Sequence, residues 1–80
     1  MLHMMILRKK QDGYHPQTKI QKRIHKLPTS ELIAWSENAL FVIGRDLTSW
    51  MRSNDKALLD EVEVGAEALY EIVQELKRRA

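Results

Sequence analysis

Cysteine is absent from this sequence, so no disulfide can staple the chain and no thiolate can act as nucleophile or metal ligand. A reducing compartment tolerates such a chain, and a cytoplasmic location is the expectation that follows. Glycine is scarce: Gly13, Gly44 and Gly65 stand far apart, which excludes a glycine-rich phosphate loop. The two prolines, Pro16 and Pro28, both fall in the first third, so nothing from residue 29 onward forbids a continuous helix. Long apolar runs are missing as well. Residues 1–7 are uncharged but far short of the ~20 needed to span a bilayer, and they precede the basic residues instead of following them, the reverse of a secretory signal. No membrane association is expected.

Compact chemical motifs are equally lacking. His3, His15 and His25 match no ligand spacing, so neither a metal nor another cofactor is expected. No nucleophile, base and acid share a recognisable pattern. A chain of 80 residues, with its polar side chains on outer helix faces, leaves little room for a closed pocket. The expectation is a protein without intrinsic catalysis.

What is present is helical periodicity. Leu58, Val62, Gly65, Leu69, Ile72 and Leu76 are separated alternately by four and three residues, one seam on a helix. Leu59, Ala66 and Val73 widen it, and Asp60, Glu63, Glu67, Glu71 and Glu75 lie opposite. Gly65 inside the seam costs roughly 1 kcal/mol against alanine, so either the helix tolerates a defect or a neighbouring helix approaches closely at Gly65 and Ala66. Upstream, Leu32, Trp35, Ala39, Ile43, Leu47 and Trp50 form one row, flanked by Ile33, Leu40, Met51 and Val42. Thr29 or Ser30 can cap this helix, with Glu31 in its first turn. The turn-forming residues Ser53, Asn54 and Asp55 separate it from the second seam.

The sequence therefore predicts an all-α fold, a long helical hairpin preceded by a short basic helix. Helices are expected over about 17–27, 30–52 and 55–79, within a single domain 16–80, after an arm 1–15 that is mobile or ordered by a partner. The apolar arc of the first long helix is wider than one antiparallel neighbour covers. Each Leu, Ile or Met left wet forfeits roughly 1.5 to 3 kcal/mol. A third element, a second copy or another protein must shelter the remainder. The expected solution is a homodimer forming a four-helix bundle, with Trp35, Leu40, Ile43, Leu47, Trp50, Leu69, Ile72 and Phe41 at the dimer or partner interface.

Charge is distributed unevenly. Residues 1–28 hold seven Lys or Arg against one acid, whereas 29–80 hold six basic and ten acidic groups. Two functional readings follow. In the first, the chain is a small self-associating interaction module that recruits a partner protein. In the second, a dimeric nucleic-acid-binding regulator presents Arg8, Lys9, Lys10, Lys19, Lys22, Arg23 and Lys26 to phosphates, with Tyr14 and His15 adding stacking. The ladder Glu63, Glu67, Glu71 and Glu75 destabilises an isolated helix. It either stays solvated or meets cations, with the basic face of residues 19–26, Arg45 and Arg52 as candidates. Ser36 and Asp46 interrupt the apolar arc. A carboxylate there should be paired, hydrogen-bonded or at the rim of the interface, and a tryptophan indole or the Tyr70 hydroxyl is available by sequence as a donor.

Overall fold

A computed structural model describes residues 13–80, so the expectations for most of the arm 1–15, and for Arg8, Lys9 and Lys10, lie outside the described residues. The described chain is all-helical: α1 (Lys19–Lys26), α2 (Thr29–Ser53) and α3 (Lys56–Arg79).

Local chemistry accounts for each boundary. Thr18 opens α1 with a capping box: its hydroxyl accepts from the Gln21 amide at 3.1 Å, and the Gln21 side chain accepts from the Thr18 amide at 3.2 Å. Pro28 disfavours helix at Leu27, where α1 stops. At the start of α2 the expected caps are not used. Pro28 itself occupies the cap position, and no side chain satisfies the first amides. The Thr29 hydroxyl is turned to other use, accepting from Arg79 at 3.0 Å. Asn54, in the left-handed conformation at φ 55, ends α2, and Asp55 caps α3 by accepting from the Ala57 amide at 3.0 Å. So short a link leaves α2 and α3 no arrangement but an antiparallel hairpin.

The hairpin's open end is closed by α1. Ile24, Leu32 and Ile72 are fully buried together, with Ile20, Leu27, Trp35 and Leu76 packed against them. Such a short helix is too brief to persist alone, and burying Ile24 contributes roughly 1.5 to 3 kcal/mol toward holding it. The third element demanded by the apolar surplus is therefore supplied in part by the chain itself. Small residues set the spacing of the hairpin. Ala39 and Ala68 are buried, and a Cβ added to Gly65 would lie 3.1 Å from Ile43 Cγ1, so glycine there serves close helix approach. The polar intruder Ser36 is satisfied within α2, donating to the Leu32 carbonyl at 2.9 Å.

Candidate interaction surfaces

The seat of α1 is fixed at its far end by Glu75. This carboxylate, buried in the contact, accepts from Arg78 at 3.0 Å, from Arg79 at 2.9 Å and from His25 Nδ1 at 3.1 Å. Burial by itself pushes Glu75 up. The hydrogen bonds from Arg78, Arg79 and His25 outweigh it and bring its pKa below the ordinary value. Arg79 extends further, donating to the Leu27 carbonyl at 2.7 Å and so satisfying the C-terminal end of α1. Tyr14 completes the corner, edge-on to His25 and beneath the Arg78 guanidinium, which stands 3.5 Å from the ring centre. Its ring is thus engaged by side chains of α1 and α3.

The acidic ladder meets α1 by a route the sequence did not indicate. Glu71 accepts from the Gln21 side chain at 3.2 Å and Glu75 from His25, while Glu63 and Glu67 remain exposed. None of Lys19, Lys22, Arg23 or Lys26 makes an ion pair with an acid among the described residues. Arg23 instead lies 4.8 Å over the Trp35 ring. Arg45, one of the two further candidates for the ladder, pairs instead with Asp46 and Glu61.

Asp46 is 2% exposed. Neither an indole nor Tyr70 serves it; Arg45 Nε donates to its Oδ1 at 3.1 Å, and its Oδ2 is buried with no hydrogen bond of good geometry. The group that can complete the site is Glu61 of α3. Pairing with Asp46, whose negative charge adds to the effect, pushes Glu61 up, while the same pairing, aided by Arg45, holds Asp46 down against the opposing effect of burial. The carboxylate is under-satisfied unless Glu61 carries a proton. On the sequence Asp46 has no second acid on its own face; the hairpin brings one from the facing helix.

Two surfaces remain on the outside of the hairpin. On the face that carries α1, a trough of about 570 Å³ continues beyond the N-terminus of α1, floored by Trp35, Ala39, Val42, Val64, Gly65 and Ala68. Lys19 and Arg23 stand at one end and Glu61 at the other. Since these flanks of α2 and α3 turn toward α1, the opposite flanks share the other face. There Ile33, Leu40 and Leu47 recur every seventh residue, with Met51 one turn further, and all four are exposed, Leu40 by 56% and Met51 by 75%. Val73 and the half-buried Leu59, Val62 and Leu69 of α3 lie beside them.

The residues expected at an interface thus divide. Leu40 and Leu47 are exposed on the α1-free face, with Ile43, Trp50 and Leu69 half-buried. Ile72 is wholly enclosed by Ile24 and Leu32, and Trp35 is packed into the same cluster, because α1 occupies that flank. Phe41 is 66% exposed on the outer side of α2, in a shallow depression with Leu40 and Arg45. Among the described residues no three His, Asp or Glu gather as a metal site, and no helix is long and apolar enough to cross a membrane. No family model matches the chain, and no curated protein or solved structure matches it either.

Proposed function

We propose that the chain is a small helical interaction module that pairs with a second copy of itself through the α1-free face of the hairpin, forming a four-helix core, and recruits a further protein on its remaining surface. The observation that carries this reading is the exposed heptad row Ile33, Leu40 and Leu47 beside Leu69 and Val73. Contiguous apolar stripes of this kind mark association surfaces, whereas single exposed apolar residues do not. A two-fold dimer covers one such stripe with its own copy and leaves α1 untouched. Sedimentation equilibrium across micromolar concentrations tests it. A dimer mass is expected, and a monomer throughout that range would reject the pairing.

One observation favours a second reading. Lys19, Lys22, Arg23 and Lys26 make no ion pair with an acid among the described residues even though an acidic helix lies alongside, and four such cations on one short helix suit phosphate binding by a nucleic-acid regulator. Titration with duplex DNA and with RNA at several salt concentrations separates the two. Affinity that falls steeply with salt supports the regulator; no binding at low salt removes it.

A further inference from the structure

The trough on the α1 face is independent of the proposed dimer surface, because it lies on the other side of the hairpin. Its upper half is already filled, by α1, which lays Ile20, Ile24 and Leu27 between α2 and α3. Below Lys19 the same channel between the two long helices runs on without an occupant among the described residues. Its floor stays apolar, and Val64, 66% exposed among the acids of the outer side of α3, is part of its wall. Lone valine among Asp60, Glu63 and Glu67 is covered by none of the described residues. Its position on the trough supplies a reason for it.

Charge distinguishes the two ends. Lys19 and Arg23 stand at the α1 end without an ion-pair partner among the described residues, and the Glu61 carboxyl stands at the other. A volume of about 570 Å³, open along its length, suits a row of side chains on a rod better than an enclosed ligand. Helix-in-groove recognition reads such a row through positions i, i+3 or i+4, and i+7, as α1 already does one step up the channel.

We propose that the trough below α1 seats an amphipathic helix of a partner protein, which lays apolar side chains on Ala39, Val42 and Val64 and carries an acidic residue at the Lys19 end and an arginine or lysine at the Glu61 end. The basic group meets the Glu61 carboxyl, and the acidic group meets Lys19. Occupation by such a helix continues the line of α1 as a third rod along the hairpin.

The test is selection from a displayed library of helix-favouring peptides of about 14 residues, about four turns, against the intact protein. Binders are then measured on Val64→Glu, on Glu61→Lys and on Leu40→Asp. Both trough variants are at exposed positions, and circular dichroism confirms that they keep their helices. The expected result is a consensus with an apolar i, i+4, i+7 row, an acid at one end and a base at the other. Affinity is expected to fall about tenfold or more on each trough variant and to be unchanged on Leu40→Asp. No enrichment, binders indifferent to Val64→Glu, or a consensus without opposed charges would each overturn the proposal. Sedimentation in which Val64→Glu, and not Leu40→Asp, dissociates the protein would give the trough to a second copy and overturn it too. Failure of the dimer alone leaves the peptide result intact, so the two proposals stand or fall separately.

Discussion

Glu75 shows how one side chain can decide the position of a helix. Its carboxylate collects Arg78 and Arg79 from its own helix and His25 from α1, and Arg79 passes on to the Leu27 carbonyl. Because the folded pKa lies below the unfolded one, the pairing stabilises the fold above the unfolded value and is lost as pH falls through the folded value. Stability measured by urea unfolding is therefore expected to drop as pH falls below the ordinary carboxylate range, and Glu75→Gln should flatten that slope while lowering stability at neutral pH. An unchanged slope in the variant would remove Glu75 from this role. Glu61 has the opposite sign. Its folded pKa is raised, so its contribution is present below the unfolded value and is lost as pH rises through the folded one.

At the scale of the elements, α1 is a helix that exists because α2 and α3 offer it a channel. Truncating Ile24 removes its deepest contact, and Ile24→Ala should cost about 2 to 5 kcal/mol, with Trp35 fluorescence shifting as its cover leaves. If α1 were held by charge alone, the substitution would be nearly silent. The hairpin crossing depends on the missing side chain at Gly65. Gly65→Leu should cost about 1 to 3 kcal/mol, because Ile43 stands where the new side chain must go, even though leucine favours helix; a thermal melt at or above that of the wild type would contradict it.

For the molecule as a whole, Leu40 and Leu69 both belong to the expected interface, where an aspartate can strike either the fold or the assembly. The exposure of Leu40 separates the two consequences. Leu40→Asp is now expected to keep its helical circular dichroism while sedimenting as a monomer, whereas Ile72→Asp, struck inside the chain's own core, should lose helix as well. A Leu40→Asp protein that remained dimeric would move the contact elsewhere, with Phe41 the next surface to examine.

Periodicity and punctuation determined the elements: apolar spacing, the residues Ser53 to Asp55, and two early prolines place three helices to within about two residues of where they lie. They also determined that the surplus of apolar surface on α2 exceeds what one neighbour can cover. Which part of that surplus stays open was decided only in three dimensions, because it depends on the flank α1 occupies. That choice encloses Ile72 and Trp35 and leaves Leu40 and Leu47 outside. The partners of the charges were likewise settled by packing. Reach and direction, and not sign along the chain, let Gln21 and His25 meet the acidic helix while the lysines beside them make no ion pair with it, and they brought Glu61 to Asp46 across the hairpin.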